Sequence, residues 1–356
     1  MRIYFNGRFL TQHITGVQRY AIEIIKAWDQ ICLETENENQ YVLLVPKNTR
    51  YTFHFHVIEV RQVGHLQGYL WEQFELPFYT RDGFLINLCN CAPIIKRDQT
   101  VTMHDAAVFA CPGGFSLLFR LWYRLMFLCL GHRLNLFFTV SNFSKRELNS
   151  YLGIPLKYIH VTYNGVDHIR ELRNDEREEL LNKNKYVLSV CSMNPNKNFS
   201  LILGIAKEMP DVSFFIVGGS NNKVFQKRMI NNVPSNVKFL GYVTDEELFT
   251  LYAHATCFLF PSLYEGFGIP PLEAMTFGCP VIASNSAALP EICGDAAIYC
   301  PPDLPTAWVE AIRSIMDENN DIRDDLVKKS RVVVSQYCWR ESAKKMMELI
   351  LAFSQR

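Results

Sequence analysis

The strongest constraint on the fold is an alternation of short strand-like runs with longer helical patterns along the whole chain. Runs rich in β-branched and aromatic residues, such as "YVLLV" at 41–45 and "CFLFPSL" at 257–263, are separated by amphipathic patterns such as "GVQRYAIEIIKAWDQ" at 16–30. Strands and helices that alternate in this way form parallel sheets built from βαβ units. We therefore predict an α/β protein with doubly wound, Rossmann-like sheets.

The same plan occurs twice, which predicts two domains. A chain of 356 residues is too long for one compact core and suits two α/β domains. We expect a first domain at 1–166, a charged linker at 167–185, a second domain at 186–336, and a C-terminal helix at 337–356 that packs back toward the first domain. Two such domains facing each other are expected to leave a central cleft at the carboxyl ends of both sheets.

Composition excludes several classes of function. Lys plus Arg and Asp plus Glu are both 36, so net charge gives no argument for nucleic-acid binding. The 11 cysteines lie mainly in apolar segments and are expected to be reduced, as in a cytoplasmic protein. Cys89 and Cys91 are one residue apart, which is poor spacing for zinc, and we expect no metal site. The charged start "MRIYFNGRFL" does not resemble a signal peptide.

The segment "SLYEGFGIPPLEAM" at 262–275 carries two glutamates eight positions apart. A predicted strand ends before it, and its double proline suits the first turn of a helix, so Glu273 is expected in that turn. The amides of Gly266, Phe267 and Gly268 would then be free to face an anion at a helix N-terminus. A purely structural interpretation of Glu273 is that it compensates the helix dipole. Glu265 has no such structural role in its loop. This pair is the main functional candidate.

The stretch resembles the E-x7-E motif of glycosyltransferase family 4, which comprises retaining sugar-nucleotide transferases of GT-B fold. Further segments match the family's mannosyltransferase-B-like branch in the same order. In chain order these are "ITGVQRYAIEI", "LWEQFELP", "VTMHDAAVF", "TVSNFSKREL", "NGVD", "NPNKN", "LGYVTDEEL" and "ALPEICGDAAIYCPP". The resemblance covers nearly the whole chain, and the combined order is more specific than any single motif.

The resemblance implies a nucleotide-sugar site in the second domain. Glu273 would hydrogen-bond the ribose hydroxyls, and Glu265 would contact the hydroxyls of the donor sugar beside the amides of Gly266, Phe267, Gly268 and Ile269. The turn at Tyr242 and Val243 matches the one that the family uses against the base. The two carboxylates would then contact different parts of one bound nucleotide sugar.

Five other residues are candidates for the donor or the acceptor. Lys197 would meet the diphosphate leaving group, with a solvated surface lysine as the alternative. The preceding position is often arginine in the family and is Asn196 here, so one cation is missing or another residue supplies it. Gly16 would let amides approach phosphates, and Arg19 would face the cleft or the solvent. His104, at a strand end, corresponds to a sugar-contacting histidine of the family.

The longest apolar segment is interrupted by arginines, so it does not predict a transmembrane helix. Within 115–131, Ser116, Arg120 and Arg124 fall on one narrow helical stripe. One interpretation is a mostly buried helix with this stripe in solvent. The other is an interfacial helix with its arginines toward lipid phosphates and its apolar flank toward a bilayer or a lipid-linked acceptor.

The resemblance implies transfer of a hexose, with mannose favoured, from a nucleotide-diphosphate sugar to a glycan acceptor, without a metal ion or cofactor. The departing phosphate oxygen would take the acceptor's proton. A lipid-linked acceptor in O-antigen or capsule synthesis is expected, with the protein in the cytoplasm or peripheral on the inner face of the membrane. The alternatives are a non-catalytic GT-B partner subunit of a polysaccharide-building complex and a GT-B-type sugar-nucleotide epimerase.

Overall fold

A computed structural model describes residues 1–35, 38–172, 185–191, 194–218 and 233–354 of the chain. The chain forms two compact units. Unit 1 comprises Met1–Gly165 together with Cys338–Arg356, and unit 2 comprises Val166–Tyr337. The linker predicted at 167–185 begins with a 3-10 helix, Asp167–Leu172, and its remainder lies almost wholly outside the described residues.

Unit 1 contains a parallel sheet with the strand order β3-β2-β1-β4-β5-β6-β7. Its strands are β1 (Arg2–Asn6), β2 (Gln40–Val45), β3 (Glu59–Gln62), β4 (Phe84–Asn87), β5 (Gln99–Thr102), β6 (Phe137–Thr139) and β7 (Ile159–Val161). The chain order reverses between β1 and β4, as in doubly wound folds. β7 was not predicted, because its central His160 interrupts an apolar run of only three residues.

Unit 2 contains a second parallel sheet, with the order β10-β9-β8-β11-β12-β13. Its strands are β8 (Tyr186–Val190), β9 (Ser213–Val217), β10 (Val237–Gly241), β11 (Cys257–Phe260), β12 (Val281–Ser284) and β13 (Ala297–Cys300). Here the chain order reverses between β8 and β11. These two sheets confirm the predicted pair of parallel, Rossmann-like domains.

The described α-helices connect the strands or follow the second sheet. They are α1 (Gly16–Glu34), α2 (Gly68–Leu70), α3 (Leu76–Tyr79), α4 (Ala107–Ala110), α5 (Leu117–Arg133), α6 (Asn142–Leu152), α7 (Phe199–Glu208), α8 (Asp245–His254), α9 (Ile269–Thr276), α10 (Leu289–Cys293), α11 (Pro305–Met316), α12 (Ile322–Ser335) and α13 (Trp339–Ser354). One π-helical turn, Trp71–Glu75, joins α2 to α3. Residues 68–79 therefore form one helical segment.

Each sheet is buried on its central strands, which explains why their sequences are almost continuously apolar. In unit 1 the Trp28 ring of α1 packs edge-on against Phe5 of β1 at 5.3 Å between centroids. The C-terminal helix α13 packs on α1, where Arg340 forms an ion pair with Glu34.

Candidate functional site

The main candidate site lies where the strand order of unit 2 reverses. β8 and β11 are neighbours in the sheet, and their carboxyl ends lead into the loops that carry Lys197 and Glu265. A backbone hydrogen bond from Leu263 N to Asn196 O, 2.7 Å long, ties the two loops together. Ligands of open α/β sheets bind at the carboxyl edge beside such a reversal, so this edge is where a ligand is expected.

Lys197 and Glu265 form an ion pair across these loops, 68 residues apart in the chain. Lys197 Nζ donates to Glu265 Oε1 at 2.5 Å, and their side chains are 26% and 15% exposed. The ammonium also lies 5.3 Å from the centre of the Phe260 ring. A half-buried cation beside an aromatic ring is only partly screened by water. The pair therefore places one cation and one carboxylate at the sheet edge.

The glycine loop after β11 turns the backbone sharply into helix α9. Gly268 precedes the helix with φ +105°, and a Cβ there would lie 2.8 Å from Leu289 Cδ2. No other residue fits this position without strain. The loop that follows Glu265 is anchored in the core, because the side chains of Phe267 and Ile269 are buried. An N-terminus of this kind favours negative charge.

Glu273 lies in the second turn of α9, which corrects the prediction that it occupies the first. The helix begins at Ile269, immediately after Gly268, so both prolines and Leu272 precede Glu273 within it. Glu273 Oε2 accepts a 3.0 Å hydrogen bond from the hydroxyl of Tyr252 in α8, a side chain with no exposure. Burial, followed by the Glu273 charge, raises the pKa of Tyr252 well above its ordinary value, so this phenol stays a donor.

The remaining unit 2 candidates flank this pair. Tyr242 is 82% exposed in the turn between β10 and α8, and Val243 beside it is partly exposed. Asn196 lies in the 3-10 turn Pro195–Lys197, where its backbone N–H donates to Asn194 Oδ1 at 3.1 Å. The structure thus brings Asn196, Lys197 and Glu265 together in adjoining loops and places Glu273 on the helix that follows.

The unit 1 candidates gather at the carboxyl edge of the other sheet. Gly16 is the exposed first residue of α1. Arg19 lies one turn further along the helix, with its Nη1 4.0 Å from Glu23 Oε1. The next residue, Tyr20, is buried against His104 with ring centroids 4.9 Å apart. The N-terminal turns of α1 therefore lie beside His104. This histidine follows the end of strand β5 by two residues.

His104 is buried and neutral. Its Nε2 lies 2.9 Å from the carbonyl oxygen of Leu88, so Nε2 carries the proton and Nδ1 is left as an acceptor. Burial lowers the pKa of His104 to about 4. At neutral pH this ring can accept a hydrogen bond from a hydroxyl but cannot act as a proton donor from a charged form.

Arg120 and Arg124 are only partly exposed, which corrects the predicted solvated stripe, while the interfacial interpretation of this helix stays a prediction. Arg124 Nε donates to the carbonyl of Val108 at 3.1 Å, and its guanidinium lies 5.2 Å from the centre of the Phe109 ring. Arg120 is partly buried, and within the described residues its Nε has no hydrogen-bond partner. Ser116 precedes the helix as its cap. Several leucines of α5 are strongly exposed instead, with Leu118 at 81%. In the part of the chain that the structure describes, none of the helices combines the length and the apolar character that crossing a membrane requires.

Two residues near the predicted site were missed. In the sequence, Tyr252 and Tyr20 occupy apolar positions of amphipathic helices, as core residues do. Both are fully buried in the structure. Their hydroxyls nevertheless bond to polar groups: Tyr252 to Glu273, and Tyr20 to Thr162 Oγ1 at 2.8 Å. A buried tyrosine usually requires such a partner, which is the only indication the sequence offers.

Known proteins share both the sequence pattern and the fold. Residues 172–333 match the family model described as Glycosyl transferases group 1. The chain is 30% identical over 225 residues to O-antigen chain mannosyltransferase RfbU of Salmonella typhimurium, covering 62% of each chain. It is 26% identical over 379 residues to O-antigen chain mannosyltransferase B of Escherichia coli, covering 95% of this chain and 96% of that one.

The solved structures extend this similarity to the whole fold. Sucrose-phosphate synthase from Thermosynechococcus elongatus superposes with a TM-score of 0.75 at 16% identity, covering 100% of both chains. At this identity the match shows the fold alone. Together these findings confirm the predicted resemblance: residues 172–333 match the glycosyl transferases group 1 model, and the chain has a GT-B fold.

Proposed function

We propose that the chain is a retaining glycosyltransferase that moves a hexose, mannose or a similar sugar, from a nucleotide-diphosphate donor to a hydroxyl of a glycan acceptor. The bond between the anomeric carbon and the phosphate oxygen breaks, a bond to the acceptor oxygen forms, and the acceptor's proton goes to the departing phosphate. The observation that carries the proposal is the Lys197–Glu265 pair at the β8–β11 reversal. The two O-antigen chain mannosyltransferases named above favour mannose and O-antigen synthesis. A lipid-linked acceptor, in O-antigen or capsule synthesis, is part of the proposal.

Each group of the site has a proposed role in this transfer. Lys197 offsets the charge that develops on the diphosphate, together with the amides of the 266–269 loop. Glu265 binds hydroxyls of the donor sugar, Glu273 binds the ribose, and Tyr242 and Val243 contact the base. His104 accepts a hydrogen bond from a sugar hydroxyl through Nδ1, since its Nε2 is already engaged.

Donor turnover tests the proposal directly. GDP-mannose, UDP-glucose and related donors would be screened for release of the nucleoside diphosphate, with and without EDTA. We expect turnover of one donor class to survive EDTA, because Lys197 and backbone amides supply the positive potential for the leaving group. Complete loss with EDTA, restored by Mg²⁺ or Mn²⁺, would show that the transfer depends on a metal ion.

Asn196 favours a second candidate, a non-catalytic partner subunit of a polysaccharide-building complex. The family resemblance implies an arginine at this position, and its absence would weaken charge compensation at the diphosphate. If no donor turns over while nucleotides still raise the melting temperature, the partner-subunit function is supported. If a donor turns over, this alternative is wrong.

Glu273→Gln is expected to weaken binding of the matching nucleoside diphosphate by about 10- to 100-fold. A hydrogen bond to a charged acceptor contributes roughly 1.5–3 kcal/mol, and the amide cannot replace it for two ribose hydroxyls. Tyr252→Phe should weaken binding severalfold, because the Glu273 carboxylate loses the hydroxyl that orients it. Isothermal titration calorimetry with GDP and UDP measures both effects.

The matched control for this prediction is Glu310→Gln, which neutralises an exposed glutamate of α11 in the same unit. It should bind nucleotide as the parent does. Unchanged affinity in Glu273→Gln would show that Glu273 does not contact the ribose. If Tyr252→Phe alone has no effect, the carboxylate is positioned without the phenol.

A further inference from the structure

The connection between strands β2 and β3 is long for one that contains no helix or strand of its own. It spans residues 46–58, thirteen in all, between Val45 and Glu59. Because β2 and β3 are parallel, this loop runs from the carboxyl end of one strand back to the amino end of the next. Irregular loops of this length are uncommon in compact domains and usually carry a function.

Hydrogen bonds hold the 46–58 loop at both ends. Near its start, Arg50 N donates to Leu10 O at 2.9 Å. At its end, the backbone N–H groups of residues 56–58 donate to the buried carboxylate of Asp29 in α1, at 2.8–2.9 Å. Between these anchors, the N–H and carbonyl groups of residues 51–55 form no hydrogen bond with any described residue. The loop is therefore fixed in place, while its central stretch keeps backbone donors and acceptors for a ligand.

Aromatic side chains occupy every second position of this central stretch: Tyr51, Phe53 and Phe55. All three are partly exposed. The rings of Phe53 and Phe55 lie 6.4 Å apart, with an interplanar angle of 31°. Thr52 and His54, which lie between the aromatic residues, are exposed. Rings repeated at this spacing, with polar groups between them, suit a ligand that repeats flat apolar faces and hydroxyl groups along a chain.

The loop lines a groove of about 590 Å³ against strand β2, which we call the aromatic groove. The buried side chains of Leu10, Leu43 and Val45 form its floor. Apart from two histidines, Glu59 is the one charged side chain among the described residues that line it. An uncharged ligand therefore fits this groove better than a phosphate or a carboxylate does.

The aromatic groove opens at the edge of the unit 1 sheet that also carries His104. Leu10 and Thr49 lie just beyond the carboxyl ends of β1 and β2, and His104 follows the same end of β5. β2 and β5 are three positions apart in the sheet, which is roughly 14 Å at the usual spacing between strands. A glycan whose terminal sugar is held at His104 therefore reaches the groove with the sugar units behind that end.

We propose that the aromatic groove binds the acceptor glycan, as a chain of uncharged sugar units, at a subsite separate from the point of transfer. Successive pyranose rings stack their apolar faces on Tyr51, Phe53 and Phe55, and their hydroxyls bond to the backbone groups of residues 51–55. A pyranose combines an apolar face with several hydroxyls, so it satisfies the rings and the unpaired backbone groups together. The inference rests on the proposed function, because it makes the acceptor chain the ligand.

Affinity electrophoresis of the full chain, in native gels that contain neutral mannan or dextran, tests this inference without requiring transferase activity. We expect at least one of the two glycans to retard the parent. Phe53→Leu/Phe55→Leu keeps the apolar bulk but removes the ring faces, so it should bind about tenfold more weakly. Thr52→Ala/His54→Ala replaces exposed polar residues without disturbing the packing and should weaken binding severalfold.

The matched control is Phe74→Leu/Phe78→Leu, which removes two exposed rings of unit 1 outside the groove and should be retarded as the parent is. Melting temperatures check that each variant is folded. Equal retardation of the parent and of Phe53→Leu/Phe55→Leu would overturn the inference, as would a parent that neither glycan retards. A parent dimer that these two substitutions convert to monomer, without retardation, would assign the groove to a second copy instead.

Donor turnover separates this inference from the proposed function. If a glycan retards the parent but no donor turns over, the groove remains a glycan site and the transferase proposal fails. If a donor turns over and neither glycan binds, the groove inference fails alone. In an active parent, Phe53→Leu/Phe55→Leu should raise KM for an oligosaccharide acceptor about tenfold and leave kcat unchanged. KM for a monosaccharide acceptor should not change, because one sugar does not reach the groove.

Discussion

Replacing Lys197 with methionine is expected to lower donor turnover by about 10²–10³-fold while leaving nucleotide affinity nearly unchanged. Removing one preorganised electrostatic contact to a developing charge has an effect of this size in other enzymes. The ammonium is held at 2.5 Å from Glu265 Oε1 and is only 26% exposed, so water replaces it poorly. Because its attraction grows as the leaving group gains charge, the loss should appear in kcat more than in KM.

The Lys197 experiment also affects Glu265, so variants of Glu265 are needed to interpret it. Methionine at 197 leaves the Glu265 carboxylate without this cation, so part of the loss reflects a disturbed partner. Glu265→Gln and the double variant Lys197→Met/Glu265→Gln complete a double-mutant cycle. If the two residues act as a unit, the double variant should be no slower than the worse single variant.

Two further variants separate chemistry from stability. Lys197→Arg keeps the charge and should retain more turnover than Lys197→Met. Lys238→Met removes an exposed lysine of β10 in the same unit and should turn over as the parent does. Parent-like turnover in Lys197→Met would exclude Lys197 from the reaction. A large drop in melting temperature would instead assign the ion pair a structural role.

The sheets could be predicted because the pattern of buried parallel strands is local. Strands β1, β2 and β11 are almost continuously apolar and bounded by turn residues, so each can be recognised from four to six residues. β7 and β13 were missed although β6 and β12 are no longer and were predicted, so length alone does not decide which strands the sequence reveals. Strand order depends on packing of the crossover helices, which no short window encodes.

The candidate site was predicted through motifs, and its contacts required the structure. Lys197 and Glu265 were placed after strands, but their pairing depends on β8 lying beside β11. The Tyr252–Glu273 bond depends in the same way on how α8 meets α9. The arginines of α5 were misplaced because charged residues are usually outermost, whereas Arg124 bonds back to Val108 and leaves leucines exposed. Helical period locates a stripe but not which side faces the core.

The buried ion pair of unit 1 was also invisible to the sequence. Arg8 Nε and Glu72 Oε1 are 3.0 Å apart, with side chains 6% and 1% exposed. Glu72 Oε1 also accepts from Asn6 Nδ2 at 2.7 Å, and the guanidinium lies 4.6 Å from the centre of the Tyr69 ring. Burial alone would lower the pKa of Arg8, but the Glu72 charge outweighs it and the pKa is raised.

Glu72→Gln is therefore expected to destabilise unit 1 by about 3–5 kcal/mol. It leaves the Arg8 guanidinium charged and buried without a counter-charge, and arginine cannot relieve this by losing a proton. Arg8→Met should also destabilise unit 1, because it leaves the Glu72 carboxylate buried without its counter-charge. Urea unfolding followed by tryptophan fluorescence measures the effect, since four of the five tryptophans (28, 71, 122 and 339) lie in unit 1.

The double variant and a surface pair decide whether the effect comes from the buried charge. Arg8→Met/Glu72→Gln removes both charges and keeps an acceptor for Asn6, so it should recover most of the stability lost in Glu72→Gln. Glu59→Gln breaks the exposed pair with Arg61 on β3 and should cost no more than about 1 kcal/mol. If Glu72→Gln costs as little as Glu59→Gln, water reaches Arg8 and the pair is not sealed in the core. If the double variant is as unstable as Glu72→Gln, lost packing rather than the unpaired charge accounts for the effect.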